Sequence, residues 1–382
     1  MQLKNAYDVA IIGGGLAGLA AAIQLAAEGF DVILLEKEKY PFHKVCGEYV
    51  SMESWDFLQH LGLPLSDMQL PLIHTLQLTA PNGQAFSTRL PLGGFGISRF
   101  TLDHLLANIA VQKGVTLVEE ARVDAVAQEV PFMISVTGKN FSKTLWAKVV
   151  CGAFGKRSNL DVKWKRDFIA QTNPRHNNYI GVKYHVQTDW PEQVIGLHNF
   201  EDGYCGISKV EGDQYCLCYL TTAANLKSSN YSIETLQQNV LWQNPALKKI
   251  FSKSHILEGF PVTIAQISFS KKTQVQNGLL MLGDAAGMIT PLCGNGMSMA
   301  LHSSKLAAGL ITRYLHNELD QAPLQTLYRR QWQQHFGRRM AAGRLLQGFF
   351  GKRMLSNLFV QTFRTLPFLA ATIIKKTHGR PF

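Results

Sequence analysis

The chain has 382 residues, of which 46% are hydrophobic and 17% are charged. This length is enough for two domains with full cores, and this composition excludes a disordered chain. An apolar run begins almost at the N-terminus and leaves no room for a signal peptide, so we expect a cytoplasmic protein with reduced thiols. The cysteines lack the spacing of a zinc site, and no metal is expected; they are Cys46, Cys151, Cys205, Cys216, Cys218 and Cys293.

The net charge of +11 comes entirely from the C-terminal end of the chain. After Asp320 there are eleven basic residues and no acidic residue, whereas the preceding part has 27 of each. Residues 321–382 are therefore predicted to form a basic helical tail. Its apolar side chains recur at helical spacings, at Leu345, Leu346, Phe349, Phe350, Met354, Leu355, Leu358, Phe359 and Phe363.

Two interpretations of this tail are open. A basic amphipathic helix can lie in the headgroup layer of an anionic bilayer, which would place the protein on the inner face of a membrane. The alternative is a helix packed across the domains with its basic face in solvent. Nucleic-acid binding is not expected, because no known reader motif is present. The pattern indicates no oligomeric state.

A glycine-rich turn follows the first predicted strand. Gly13, Gly15 and Gly18 have the spacing G-x-G-x-x-G, and the Leu/Ala-rich segment that begins at Leu16 and Ala17 predicts a helix. In this motif the glycines make a tight turn, let the backbone approach a pyrophosphate and let the helix pack close to the strand. The helix N-terminus attracts the phosphate charge.

A second predicted strand, residues 31–35, leads to Glu36 and Lys37. An acidic residue about 20 positions after the last glycine hydrogen-bonds a ribose hydroxyl in dinucleotide-binding folds. Because the strand, turn, helix, second strand and acidic residue occur in the required order, the sequence predicts a nucleotide site.

A second candidate motif begins with Gly283 and Asp284, directly after a buried strand predicted at residues 279–282. A carboxylate at the C-terminal edge of a strand can accept a hydrogen bond from a ligand hydroxyl. The following loop leads into a long predicted helix whose N-terminus favours negative charge in a ligand. The candidate cofactor residues of this loop are Pro291, Gly294, Asn295, Gly296 and Met297.

Between these motifs the pattern changes to that of a sheet. Residues 72–100 alternate apolar and polar around a hairpin turn, and the strands predicted between 179 and 220 are short and rich in aromatic and β-branched residues. We expect an antiparallel sheet inserted into a discontinuous nucleotide domain, with Tyr204, Tyr215 and Tyr219 on the floor of a substrate pocket. The predicted modules are 1–70, 96–160 and 272–320 for the nucleotide domain, and 71–95 and 161–271 for the sheet.

These motifs together resemble the FAD-dependent oxidoreductases of the para-hydroxybenzoate hydroxylase fold, and most closely their geranylgeranyl-reductase-like branch. The resemblance implies an α/β fold with a Rossmann-like (GR2-type) FAD-binding domain, a substrate sheet and the helical tail. By resemblance, Asp284 holds the flavin ribitol, and the helix that begins near Gly294 and Met297 points at the flavin pyrimidine. Such a helix end favours the anionic reduced flavin.

The resemblance also assigns roles in three other segments. Arg99 matches an arginine near the FAD phosphates, and Val123 matches a strand that meets the adenine. The loop that contains Lys44, Cys46, Gly47 and Glu48 matches one that lies beside the isoalloxazine. Of these four residues, Cys46 and Glu48 are the catalytic candidates. The alternative for Cys46 is a buried inert thiol, and the alternative for Glu48 is a cap of the following helix.

One departure concerns the electron donor. The family often has an Asp-Gly motif after its return strand, and this chain has Phe154 in place of the carboxylate. That motif has been linked to FAD and to the pyridine nucleotide. The departure makes ordinary docking of NAD(P)H doubtful, so NAD(P)H is only a possible transient electron donor. Lys156 and Arg157 could still attract its phosphates.

The leading functional hypothesis is hydride transfer to or from a double bond of a prenyl or lipid-like substrate. The first alternative is a flavin monooxygenase that hydroxylates an aromatic or polyketide substrate. The second is a flavin-binding electron relay without turnover. A Trp-x-Trp-x-Ile-Pro stretch, which would resemble flavin-dependent halogenases, is absent.

Overall fold

A computed structural model describes residues 3–170, 178–349 and 351–382. Phe350 of the predicted tail and residues 171–177 of the predicted sheet module lie outside these ranges. In chain order the strands are β1 (Ala6–Ile12), β2 (Val32–Leu35), β3 (Tyr49–Ser51), β4 (Leu72–Thr79), β5 (Ala85–Gly96), β6 (Thr116–Val118), β7 (Ala121–Val126), β8 (Phe132–Gly138), β9 (Phe141–Gly152), β10 (Tyr179–Gln187), β11 (Val194–Phe200), β12 (Gly203–Lys209), β13 (Tyr215–Thr222), β14 (His255–Ile256), β15 (Val262–Ile267), β16 (Val275–Gln276) and β17 (Leu279–Met281). The helices are α1 (Leu16–Ala27), α2 (Trp55–His60), α3 (Arg99–Gln112), α4 (Asn159–Lys163), α5 (Asp167–Ala170), α6 (Ala223–Ser228), α7 (Ile233–Asn239), α8 (Pro245–Lys253), α9 (Gly296–Leu315), α10 (Gln321–Phe349), α11 (Arg353–Thr365) and α12 (Pro367–Thr377).

The first sheet is mostly parallel and carries both candidate nucleotide motifs. Its strand order is β16-β17-β9-β1-β2-β6, with the β7–β8 hairpin joined to β9. In its centre Ile12 lies beside Leu35 and Gly152. Helices α1, α3 and α9 pack together beside this sheet. Strands buried on both faces have continuous apolar runs, which explains why β1 and β2 are predicted so readily. The Rossmann-like arrangement is confirmed.

The helices of this layer begin in two different ways. Ser98 caps α3, and its Oγ accepts a hydrogen bond from the Thr101 N–H at 3.1 Å. In contrast, α1 begins at Gly15 with no side-chain cap and no acidic residue in its first turn. The N–H groups and positive dipole end of α1 are therefore left for a ligand.

The second sheet has the strand order β14-β10-β13-β12-β11-β4-β5-β3, with β15 also paired to β10. Most pairings are antiparallel, as predicted, but β4 and β11 run parallel. Helices α7 and α8 cover one face through the buried Leu236 and Leu247. Strand β3 pairs with β5, so the segment Tyr49–Ser51 belongs to this sheet although it lies within the predicted range 1–70 of the nucleotide domain.

The C-terminal tail packs across both sheets. Helix α10 joins the core of the first sheet through Tyr328, Trp332 and Phe336. Helices α11 and α12 join strands of the second sheet through Val360 and Phe363 of α11 and Ala370 of α12. Across the described ranges, no helix combines the length and apolarity that crossing a bilayer would require. The tail is thus a packed part of the fold, with basic side chains on its outer face.

His198 provides a test of the second sheet's core. It is fully buried, its Nδ1 lies 2.9 Å from Thr79 Oγ1, and burial lowers its pKa from 6.5 to about 3. Because the unfolded chain takes up this proton near pH 6.5, stability falls as the pH drops below that value. We expect a His198→Asn variant to lose about 2 kcal/mol less unfolding free energy than the wild type between pH 7.5 and pH 5.

Urea unfolding at the two pH values measures this difference. The exposed His60 supplies the control, because His60→Asn should follow the wild-type pH dependence. Equal pH dependence in the His198 and His60 variants would show that His198 is not held neutral.

Candidate functional site

A cleft of about 1450 Å³, counting the space open to solvent, is lined by residues of both sheets. Gly15 and Asp284 both line it, so the two distant glycine-bearing motifs border one groove. The loop before β3 and the strands of the second sheet provide its other walls. The predicted site residues that line this cleft are Gly15, Leu16, Ala17, Cys46, Gly47, Glu48, Arg99, Gly283, Asp284, Pro291, Gly294, Gly296 and Met297.

Each of the three glycines of the first motif is required for a different structural reason. Gly13 has φ +104°, and a Cβ there would lie 2.6 Å from the Ala153 carbonyl oxygen. A Cβ on Gly18 would collide with the Gly13 carbonyl, which shows how closely α1 packs on the turn. A Cβ on Gly15 would meet only Arg99 Nη2, at 3.8 Å. Gly13 and Gly18 therefore serve the fold, and Gly15 keeps the cleft open beside the N-terminus of α1.

Asp284 lies directly after β17 at the edge of the cleft. Within the described ranges no hydrogen bond reaches its carboxylate, and burial raises its pKa. Two lysines stand near it, and burial lowers the pKa of Lys156 to about 7 and that of Lys272 to about 8. Lys272 donates to the backbone carbonyls of Lys156 and Asp284, the latter at 2.9 Å. This corner thus offers the Asp284 carboxylate and the Lys156 side chain to a polar ligand, and Lys272 holds the backbone beside them.

The loop before α9 and the first turn of α9 form another part of the cleft wall, next to Gly283 and Asp284. Gly294 is left-handed, with φ +65°, and Gly296 and Met297 begin the helix beside it. Asn295, which the sequence assigns to the cofactor, is fully buried and does not line the cleft. Its side-chain amide donates to the Thr377 carbonyl and so fastens the end of α12.

Like Gly13 and Gly18, four more predicted cofactor residues lie away from the cleft wall. The buried Glu36 carboxylate accepts hydrogen bonds from the N–H groups of Gly14, at 2.6 Å, and Glu38. Lys37 is exposed, and Lys44 contacts Asp103 at 2.8 Å and the Gly14 carbonyl at 3.4 Å. Val123 is a core residue of β7. Their contact with a nucleotide stays a prediction.

Glu48 is the centre of a buried charged cluster. It has φ +56° and is fully buried, and its Oε1 accepts a hydrogen bond from the Arg99 N–H at 2.7 Å. The Lys183 ammonium forms an ion pair with Oε1, and His185 Nε2 lies 2.6 Å from Oε2. These partners hold the pKa of Glu48 below its ordinary value despite burial. The carboxylate is therefore an anion that fixes the loop between Cys46 and β3.

Cys46 differs from Glu48 in its protonation. Burial raises the pKa of the Cys46 thiol, and its Sγ lies 3.6 Å from Met297 Sδ at the start of α9. A thiol with a raised pKa keeps its proton at neutral pH. Cys46 is thus a neutral proton carrier on the wall of the cleft, whereas the neighbouring carboxylate is already ionised.

The same cluster bears on metal binding. Ligand atoms of Glu48, His185 and Cys216 lie within 4.8 Å of one another. However, the Lys183 ammonium already neutralises the carboxylate, and its positive charge repels a second cation. The charges therefore favour an internal ion pair here.

Sequence reasoning missed Lys183 and His185 as partners of Glu48. Their alternation on β10 indicates that they share one face of the sheet, but nothing local says that this face meets residue 48. Two of the three tyrosines predicted to form the floor of a substrate pocket lie on the cleft wall, and their contact with a substrate stays a prediction. Tyr204 and Tyr219 line the cleft, whereas Tyr215 lies outside it and donates to the Trp190 carbonyl at 2.6 Å.

The residues present fit a flavin dinucleotide. The uncapped N-terminus of α1 beside Gly15 suits a pyrophosphate, and the unpaired Asp284 carboxylate suits ligand hydroxyls. The N-terminus of α9 suits a developing negative charge on a ring. The cleft joins all three positions.

Comparison with known proteins supports the same assignment. The family model described as FAD binding domain matches residues 6–331. Conditioned medium factor receptor 1 of Dictyostelium discoideum is 26% identical over 403 residues, covering 99% of this chain and 75% of that protein. Digeranylgeranylglycerophospholipid reductase 2 of Methanopyrus kandleri is 24% identical over 346 residues, covering 87% and 83%.

Among solved structures, the flavin-dependent brominase Bmp2 superposes with a TM-score of 0.78 and 19% identity, covering 96% of this chain and 92% of that one. This similarity shows the fold. The family model spans well over half of the chain, and the cleft has the features that the cofactor requires. The chain therefore belongs to the FAD binding domain family and is an FAD-dependent oxidoreductase.

Proposed function

We propose that the protein reduces a double bond in a prenyl or other lipid-like chain. The observation that carries this proposal is a second, apolar cavity next to the flavin cleft, which we call the tail chamber. Its empty volume, counting the space open to solvent, is about 720 Å³. The chamber and the cleft share Tyr49, Ile195, Leu197 and Gly294, so an apolar chain could extend from one into the other.

The walls of the tail chamber are almost wholly hydrocarbon. The second sheet contributes Leu76, Leu78, Phe86 and Leu90, and the tail contributes the residues that oppose them: Leu346, Phe359, Phe363, Ala370, Ile373 and Ile374. A cavity of this kind favours an aliphatic chain, because burial of apolar surface is the main gain available there. The reductase relatives carry a name that describes action on such a lipid.

When bound and reduced, FAD supplies a hydride to one carbon of the double bond. The other carbon then needs a proton. We assign Cys46 as its donor, since its thiol is protonated and lines the cleft. The resulting thiolate recovers its proton from solvent. Glu48 holds the loop in place through Lys183 and His185, and is a positioning residue.

We propose that the cofactor contacts Gly15, Leu16 and Ala17 at its phosphates, and Asp284 at its ribitol. Lys156 is an additional phosphate ligand, because its ammonium lies on the cleft wall close to Asp284. The remaining members of the predicted cofactor-binding set are Gly13, Gly18, Glu36, Lys37, Lys44, Cys46, Gly47, Arg99, Val123, Gly283, Pro291, Gly294, Asn295, Gly296 and Met297. NAD(P)H is the proposed transient electron donor.

A Lys156→Gln substitution tests this phosphate contact. We expect FAD affinity to fall about tenfold at pH 6.5, because one charge-assisted hydrogen bond is lost. The pKa of Lys156 is about 7, so wild-type affinity should also fall as the pH rises from 6.5 to 8.5. The variant should lack that part of the pH dependence. Quenching of FAD fluorescence on titration with apoprotein measures both effects, with the exposed Lys139→Gln as control.

The proposed reaction is tested by anaerobic reduction with dithionite, followed by mixing with geranylgeraniol in detergent micelles. The expected result is return of the oxidised flavin absorbance without oxygen, with gain of two hydrogens by the product. A hydroxylated or halogenated product formed only with oxygen would instead establish an oxygenase. Reoxidation by oxygen with no product from any substrate would establish the relay.

A substitution that narrows the passage between the cleft and the chamber should slow turnover of long-chain substrates more than that of short-chain substrates. Ile195→Trp fills the shared wall, so turnover of geranylgeraniol should fall at least about tenfold, while that of dimethylallyl alcohol stays within about twofold. FAD affinity should not change. Ile256→Trp, on the exposed strand β14 of the same sheet, is the matched control. An equal loss for both substrates would contradict a role of the chamber in binding the chain.

We also propose that residues 321–382 contact an anionic membrane surface. The support is the charge of the segment, which has eleven basic residues and no acidic one. Polybasic segments of this kind are attracted to anionic lipids. A membrane would be the natural reservoir of a substrate whose chain suits the tail chamber.

A further inference from the structure

Helices α11 and α12 have two apolar surfaces, and only one of them is used by the fold. The inner surface closes the tail chamber, with Phe363 of α11 and Ile373 and Ile374 of α12 on its wall. Phe363 packs on Phe86 of the second sheet, with ring centroids 5.6 Å apart. These two helices therefore form one wall of the chamber.

The outer surface exposes four large apolar side chains. Met354 is 85% exposed, Leu358 60%, Leu366 43% and Phe368 63%. Met354 and Leu358 are four residues apart and share one face of α11. Leu366 and Phe368 flank the break between the two helices at Pro367. Exposure of this much apolar surface in two short helices points to a partner that covers it.

The charges around this surface identify the partner. Five exposed basic residues accompany it, and within the described ranges none of them forms an ion pair: Lys352, Arg353, Arg364, Lys375 and Lys376. Unpaired cations beside exposed Phe, Leu and Met side chains match the interface of a bilayer that contains anionic lipids. A neutral or cationic surface would gain nothing from these five charges.

The polar contacts of these helices to the body lie mainly at their two ends. At one end the Gly351 carbonyl accepts a hydrogen bond from the Asp202 N–H, and at the other the Thr377 carbonyl accepts one from Asn295. Between them Asn357 accepts a bond from the Asn82 N–H at 3.3 Å, and the other described body contacts are apolar. Apolar contacts can be exchanged for lipid chains at little cost.

We propose that the outer face of α11 and α12 docks on an anionic bilayer, and that the docked helices admit a lipid chain from the membrane into the tail chamber. This inference rests on the proposed function, for which the chamber holds the substrate chain. It adds that the tail is the entrance and that anionic lipid opens it. The substrate then reaches the flavin cleft without crossing water.

Docking is tested by flotation of the full-length, FAD-loaded protein with vesicles of phosphatidylcholine containing phosphatidylglycerol, or of phosphatidylcholine alone. We expect at least tenfold more protein to float with the anionic vesicles. M354Q/L358Q/F368Q and R364E/K375E/K376E should each lose most of that binding. The control V111Q/V162Q/Y231Q removes exposed apolar residues elsewhere and should float like the wild type. Failure of the wild type to float, or equal loss in the control, would overturn the docking surface.

Admission of a chain is tested with a dansyl-labelled long-chain alcohol, whose fluorescence rises in an apolar cavity. Anionic vesicles should accelerate its uptake by the wild type at least fivefold, and should have no effect on the two outer-face variants. Uptake that is indifferent to anionic vesicles would overturn the entrance. Both variants should still turn over geranylgeraniol in detergent micelles, so failure of this inference is distinguishable from failure of the proposed reaction.

Discussion

A Gly15→Val variant should purify folded but colourless, with its affinity for FAD reduced at least about a hundredfold. Gly15 has extended backbone angles, φ −83° and ψ −176°, so valine fits the chain conformation. A Cβ there would meet only Arg99 Nη2 at 3.8 Å, so the side chain points into the cleft where the pyrophosphate must approach the backbone. The cost to folding should be about 1 kcal/mol, since valine is a poorer helix N-cap than glycine.

Flavin absorbance per protein and titration with FAD measure the loss, and circular dichroism measures the fold. Gly309→Val is the matched control, because Gly309 lies on the exposed side of α9 and a Cβ there meets nothing within 4 Å. That variant should retain its flavin. If Gly15→Val stays yellow with unchanged affinity, the cofactor does not lie against the glycine-rich turn, and the assignment of the cleft is wrong.

A Lys183→Met variant should lose about 3–5 kcal/mol of unfolding free energy, the largest single loss that we expect in the second sheet. Lys183 and Glu48 are both fully buried, and the substitution leaves a buried carboxylate with its charge only partly compensated. His185 and the Arg99 N–H remain beside it, but the ammonium that pairs with its Oε1 is lost. The Glu48→Gln/Lys183→Met double variant should lose less than the single variant, because its buried side chains are neutral.

Urea unfolding of the single and double variants gives these free energies. Lys209 provides the matched control, as another strand lysine paired with a glutamate, Glu192, whose side chain is 63% exposed. Lys209→Met should cost about 1 kcal/mol or less. A similar small loss for Lys183→Met would mean that Glu48 is protonated or hydrated in the folded protein, and that it does not hold the loop as an anion.

The two nucleotide motifs could be predicted from the sequence because each is local. The turn at Gly13 to Gly18 requires particular residues over six consecutive positions, and Asp284 directly follows its own strand. Their convergence is also predictable, since parallel strands end at the same edge of a sheet. The hairpin of β4 and β5 depends on a short-range pattern too.

The side-chain partners of Glu48, Lys183 and His185, could not be predicted, because they lie more than 130 positions away along the chain. Alternation on β10 tells which residues share a face, but not what that face will meet. For Asn295 the sequence did predict a contact, with the cofactor, but the side chain is used elsewhere in the fold. The sequence places it in the cofactor loop, and the fold turns its amide to the last residue of α12.

The sequence by itself determined the flavin-binding frame, since the glycine spacing, the buried strands and the carboxylate after β17 each follow from local backbone geometry and apolar periodicity. It also showed that all the excess positive charge lies after Asp320. Only the tertiary structure decided that the tail forms one wall of an apolar chamber beside the cleft. A helix pattern records that one face is apolar, whereas the surface that this face covers depends on contacts between distant parts of the chain.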